Sequence, residues 1–296
     1  MDKNGESYLR TIGTIDDSKE PEVVKLKDIA EFPASLWCLF FICVTFYISI
    51  FVFIQNGSLF LSSKYDVSNV QSAFLTSIPY TISAIISPFL GFAVDKTGRA
   101  MSWVAASCLC MAVTHALFAL TSTVPPIALM CCIGVSYSVC AAALWPSVSL
   151  VVKPHLLGSA CVSCVSAHKF CDNCSRYGLM TALQNFGLSV APLGVAMLIP
   201  DHPQSLSPSD AGIAFQPLEF LFVGCAGIAL LLTLFTIVYD KKKGGLLNAS
   251  AKVVAETLLK AKEAADAADA ADNSLQVPAP GDSCGSIITR LQLHVT

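Results

Sequence analysis

AMSWVAASCLCMAVTHALFALTSTVPPIALMCCIGVSYSVCAAALWPSVSLVV, residues 100–152, runs for 53 residues without an Asp, Glu, Lys or Arg. About 20 apolar residues carry a helix across ~30 Å of hydrocarbon, so this stretch holds two crossings. Ser122-Thr123-Val124-Pro125-Pro126 supplies the break between them, because proline removes a backbone donor and clashes inside a helix. Four further charge-free runs, Phe32–Ser63, Val67–Val94, Tyr177–Pro200 and Phe220–Tyr239, bring the expected crossings to six. The first starts too late and is too long for a cleaved signal peptide. Continuous apolar runs of this kind lack the ~10-residue alternating segments of a transmembrane barrel. In lipid a helix satisfies every backbone group within its own segment. The expected fold is therefore an all-α membrane protein with six transmembrane helices.

Composition agrees. Of 296 residues, 54% are hydrophobic and 13% charged, against about 25% charged in soluble domains. A water-soluble globule and a disordered chain are excluded, and the net charge of −3 gives no reason to expect a nucleic-acid partner. The expected surroundings are membrane lipid. Eight of the 13 cysteines (Cys38, Cys43, Cys108, Cys110, Cys131, Cys132, Cys140 and Cys225) fall in the expected spans. Small side chains are what intramembrane helix packing favours, so these read as packing residues.

Basic residues are distributed one-sidedly. The N-terminal segment, the second and fourth loops and the C-terminal tail together hold 17 of the 18 Lys and Arg, and the first loop holds only Lys64. The positive-inside rule places the basic face and both termini in the cytosol. The expected organisation is a cytosolic linker over residues 1–31, a six-helix unit over 32–240 and a cytosolic tail over 241–296, part helical and then disordered. No Asp, Glu, Lys or Arg is expected within a span. The spans carry no His-Glu-x-x-His, no Gly-x-Ser-x-Gly and no carboxylate cluster to organise water. The chain reads as no enzyme and calls for no cofactor.

The second loop reads GFAVDKTGRA, with Gly91, Asp95, Lys96, Gly98 and Arg99. Gly91 permits close helix approach, Asp95 suits a helix N-terminus, Gly98 permits a tight turn, and Arg99 can pair with an acid or a carbonyl. Such a charged hinge can form in one conformation and break in another, alongside the plainer reading of a two-helix turn. At these residues the sequence resembles the major facilitator superfamily, whose motif Gly-x-x-x-Asp-(Arg/Lys)-x-Gly-Arg joins the second and third helices and recurs between the eighth and ninth. Ser136–Val152 and Tyr177–Gly194 resemble the tenth and eleventh helices of a dipeptide-transporting lysosomal branch of that family, and Val23–Val44 resembles the entry to its seventh helix.

The resemblance implies that the six helices are the C-terminal half of a two-bundle carrier, with the substrate site between the halves near the bilayer midplane. It implies a lysosomal uniporter exporting small cationic dipeptides by alternating access. The implied partners are the missing N-terminal half, a glycosylated lysosomal accessory protein and, alternatively, a second copy of this chain. The competing reading is a non-transporting module that associates with a full-length transporter. Helices one and four would line the cavity with Tyr47, Gln55, Asn56, Ser136, Tyr137 and Trp145, and helices two and five would add Tyr80, Gln184 and Asn185. Each of these side chains also has a plain reading as a helix–helix packing group. His115 falls on a helix that is peripheral in the family and is expected to pack.

The fourth loop contains CVSCVSAHKFCDNCSR, residues 161–176. Cys161, Cys164, Cys171 and Cys174 form two Cys-x-x-Cys pairs that could hold zinc, with His168 as an alternative ligand. Their separation is shorter than the usual 15–20 residues, and an in-frame insertion interrupting the family pattern explains them without a metal. Lys241-Lys242-Lys243 closes the sixth helix at the membrane surface, where such a cluster also attracts anionic lipid. Residues 248–272 read as a solvated helix. Sequons occur at Asn56, Asn173 and Asn248, the first too near the membrane and the others on the cytosolic face.

Overall fold

A computed structural model of the chain describes residues 32–151, 162–257, 259–260 and 263. The linker 1–31 and most of the tail beyond 257 lie outside the described residues. Among the described residues, six helices are long and apolar enough to cross a membrane: α1 (Ala34–Tyr65), α2 (Asn69–Thr97), α3 (Ala100–Leu120), α4 (Pro126–Leu150), α5 (Val162–Ala196) and α6 (Gln216–Lys242). Among the described residues there is no strand, only one isolated bridge between Gly98 and Ser250.

Local chemistry sets the boundaries. Ser68 and Gln71 form a capping box that starts α2. Pro125 caps α4 and Pro126 occupies its first turn, as a residue without a backbone donor can. A five-residue π segment, Ile48–Val52, interrupts α1. Small residues bring helices together. A Cβ on Gly134 of α4 would lie 2.9 Å from Pro79 Cα of α2, and one on Gly187 of α5 would lie 2.7 Å from a Val44 methyl of α1.

The core is the packing of α6 on both α1 and α3, and of α2 and α3 on α4. Burial is uneven among the spans. In its most apolar stretch, α2 is 17% buried and so is α5, against 56% for α1 and for α4. Two helices therefore present apolar faces that this bundle leaves uncovered. All eight cysteines of the spans are free thiols.

Two expectations need correction. The sixth helix begins at Gln216, not Phe220, so Glu219 lies inside it and is fully buried. Lys64, in the last turn of α1, is 3% exposed. The charge-free runs therefore stop short of helices whose ends bury charge with partners. The second correction concerns the Cys-rich segment: α5 starts at Val162, so residues 162–176 form its first turns and not a loop. Cys161 and the side chains of Cys164, His168, Cys171 and Cys174 lie outside the described residues.

Candidate functional site

An aromatic cluster begins in α1 beside its π segment. Tyr47 precedes the segment and Phe51 lies within it, and their rings meet at 5.4 Å. A π turn widens the backbone locally and is frequent at functional positions. From α4, Trp145 Nε1 donates to the Tyr47 hydroxyl at 2.7 Å. Tyr137 packs edge-on against both Tyr47 (6.0 Å) and Phe51 (5.5 Å). From α2, Tyr80 stacks on Phe51 at 6.3 Å. From α5, Tyr177 stacks on Trp145 at 6.3 Å, and its hydroxyl donates to the Trp145 carbonyl at 3.2 Å. Pro146 follows Trp145 inside α4 and cannot donate a backbone hydrogen bond.

The result is a wall of six aromatic residues drawn from α1, α2, α4 and α5. Tyr47 is buried at its base, while Tyr80 is 47% exposed at its edge. Each aromatic pair contributes about 0.5–1.5 kcal/mol beyond its buried area, which helps to hold the rings in this arrangement. It offers ring faces for cations and apolar side chains, together with phenolic hydroxyls.

The wall unites Tyr47, Tyr80, Tyr137 and Trp145 from the sequence analysis. Gln184 approaches it from α5, accepting a weak bond from Cys43 Sγ at 3.6 Å. Asn185 and Gln55 are exposed. Asn56 does not join the group, since its Nδ2 donates to Val52 O one turn back at 2.9 Å. Its half-buried place within α1 also suits no glycan. Ser136 is buried and bonds the Cys132 carbonyl of its own helix. Phe51 and Tyr177 are the members that sequence reasoning missed. Phe51 follows Tyr47 by four residues, a one-turn spacing that marks a shared face.

The α2–α3 turn has a geometry of its own. Gly98 (φ +66°) and Arg99 (φ 53°) are both left-handed. Gly98 is needed twice, since a Cβ there would also strike the backbone of the tail: Ala249 O and Ser250 C at 2.7 Å, and Ala251 N. The tail clasps this turn. Arg99 N donates to Ala249 O at 2.8 Å, and Asn248 Oδ1 accepts from Ser102 N (3.1 Å) and Ser102 Oγ (3.0 Å), capping the start of α3 from a distant part of the chain. Asp240 orders the approach, its Oδ2 accepting from Leu247 N at 2.9 Å, and Leu247 is buried. An apolar pocket of about 300 Å³ remains under the clasp, lined by Val94, Pro146, Leu150, Leu246 and Val254 among others. Residues 251–257 are helical, and their start is docked here rather than free in solvent.

The remaining motif residues depart from expectation. Asp95 lies in the last turn of α2, not at a helix N-terminus, and is exposed. The Arg99 contact is made by its backbone, with the side chain exposed. Lys96 Nζ sits 5.9 Å from the centre of the Phe92 ring. A Cβ on Gly91 would have no atom within 4 Å, so within this bundle Gly91 makes no close helix approach.

His115 is not a simple packing residue. Its Nδ1 is 2.8 Å from Glu219 Oε2, and both side chains are completely buried. The two were not linked in the sequence because 104 positions separate them.

Comparison with known proteins fits this architecture. The chain is 38% identical over 251 residues to the lysosomal dipeptide transporter MFSD1 of Danio rerio, covering 85% of this chain and 48% of that protein. It is 35% identical over 252 residues to the Homo sapiens protein of the same name (85% and 47%), and 34% identical over 252 residues to that of Gallus gallus (85% and 50%). The chain thus spans about half the length of the curated relatives it matches. The family model of the Major Facilitator Superfamily matches residues 11–162. With that match, and six membrane-length helices built around the Gly98 turn, the chain belongs to the Major Facilitator Superfamily.

Proposed function

We propose that this polypeptide is the C-terminal six-helix half of a lysosomal dipeptide uniporter, working by alternating access with both termini in the cytosol. The observation that carries the proposal is the pairing of an aromatic wall with two uncovered apolar helices beside it. Tyr80 and Tyr177 extend the wall onto α2 and α5, the two least buried spans. A second six-helix bundle laid on those faces turns the wall into one side of an enclosed cleft. Ring faces and phenolic hydroxyls suit a small cationic dipeptide. The likeness to lysosomal dipeptide transporters over half their length supports the substrate class and the organelle. The proposed topology is supported by the one-sided distribution of Lys and Arg, and by the contact of the α2–α3 turn with the tail, which puts both on one side.

In this reading the clasped turn holds one of the two states that the halves exchange during transport, with Asp95, Lys96 and Arg99 exposed for contacts with the other half. Glycosylated accessory protein and a second copy of this chain remain proposed partners with no contact surface assigned. The experiment is co-reconstitution of this chain with the N-terminal half of a relative in proteoliposomes, followed by uptake of a radiolabelled lysine-containing dipeptide. Saturable uptake that requires both halves is expected. Stable association of the halves without uptake would favour the reading as a non-transporting module.

A further inference from the structure

We propose that His115 and Glu219 form a proton-binding site that couples acidity on the side of loops one, three and five to opening of that end of the bundle. The proposal rests on the six-helix fold and not on transport.

The pair sits where the C-terminal end of α3 meets the first turns of α6. Nδ1 and Oε2 stand 2.8 Å apart, a hydrogen bond that takes one proton between them. Two polar atoms are left over. His115 Nε2 and Glu219 Oε1 are buried without a partner, although most buried polar groups find one. The pair therefore has two vacant places for one further proton, the ring nitrogen and the carboxylate oxygen.

The surroundings make that proton consequential. Phenylalanine rings enclose the pair: Phe53 lies 5.0 Å and Phe222 5.2 Å from the imidazole, with Phe118, Phe60 and Phe215 packed behind them. The titratable groups that face the pair are Lys64 and Tyr65, both from the last turn of α1. Lys64 Nζ donates to the Phe118 carbonyl, and the Tyr65 hydroxyl is also without a partner. The short helix Pro208–Ala214 lays Gly212 against Lys64, its Cβ position 3.6 Å from Lys64 Cε. Its acid, Asp210, is exposed and bonded to Ser207.

The charge count fixes the direction. A Lys64 ammonium, a Glu219 carboxylate and a neutral imidazole sum to zero. A further proton on either vacant atom raises the cluster to one net positive charge among phenyl rings. That charge is costly while water is excluded and much less so once water enters. Acid therefore favours separation of the α3 and α6 ends, and removal of the proton favours their closure.

The test uses the purified full chain in detergent, without any flux measurement. The Tm is followed between pH 7.5 and 5.0 for wild type, His115→Gln and Glu219→Gln. Wild type is expected to lose a few degrees on acidification, and both variants to lose less than half as much. Backbone hydrogen exchange of wild type at the two pH values, corrected for intrinsic rates, needs no variant to fold. It should show faster exchange at residues 113–120 and 213–220 in acid, with the α4 core unchanged. A pH response of Tm that survives in both variants, or exchange at those segments that does not rise in acid, overturns the site.

Discussion

The middle of α1 and its C-terminal part support opposite environments. Around Tyr47 and Phe51, rings from α2, α4 and α5 form a wall open along the α2 side, and its buried polar atoms are engaged: the Trp145 indole donates to Tyr47, and the Tyr177 hydroxyl donates to the Trp145 carbonyl. Around Phe53 and Phe60, rings from α3 and α6 close completely, and the cage retains unpartnered nitrogen and oxygen atoms. Both regions are aromatic, so composition does not separate them. What differs is access. Open aromatic surface is available for a ligand, whereas closed aromatic surface raises the stakes of any charge held inside it.

The sharpest way to break this contrast is to unbalance the cage. His115→Ala leaves a buried carboxylate without its partner and should cost about 3–5 kcal/mol, read as a fall in thermal stability. The double change His115→Leu with Glu219→Leu should cost less than the single one, since no orphaned charge remains. Next in size is Gly98→Ala. It combines a disfavoured φ with a backbone collision, so a loss of about 1–3 kcal/mol is expected. Limited proteolysis should then cut within residues 246–257, which are held in the wild type. On the open wall, Trp145→Phe keeps a stacking ring but removes the donor to Tyr47. A loss of about 1 kcal/mol is expected, with a larger proportional fall in dipeptide uptake by the reconstituted halves. The smallest effect belongs to Gly91→Ala, where the added methyl meets nothing in this bundle. Stability of the isolated chain should change by less than about 1 kcal/mol. A disruption as severe as that of Gly98→Ala would remove the distinction between a filled and an empty glycine in one motif.

Much of the fold was legible because lipid leaves few choices. The break at Ser122–Pro126 and the five charge-free runs locate the helices, and the eight-residue step from Tyr137 to Trp145 puts both on one face of α4. The cage was hidden for a definite reason. Glu219 directly precedes the apolar run at Phe220, so a criterion that uses charge as a boundary removes it from the helix that buries it. Its partner lies on another helix, and only packing brings the two together. Phe51 was missed because nothing in ISIFV marks a π turn. The clasp had no local signal either: Asn248 reads as a sequon in a polar tail, and its target Ser102 is 146 positions away. Asn56 was read toward the cavity for the same reason: sequence does not show that its amide is spent on Val52 O of its own helix.

The clasp on Gly98 has a practical consequence for anyone who manipulates the C-terminus. A fluorescent reporter fused directly after Lys243 strips away Asn248 and the Ala249–Ala251 strap, uncapping α3 and baring the turn. The same reporter appended after Thr296 leaves the strap seated. Localisation or trafficking phenotypes from the two fusions should therefore not be treated as equivalent, because the shorter one alters the hinge while seeming only to trim a tail.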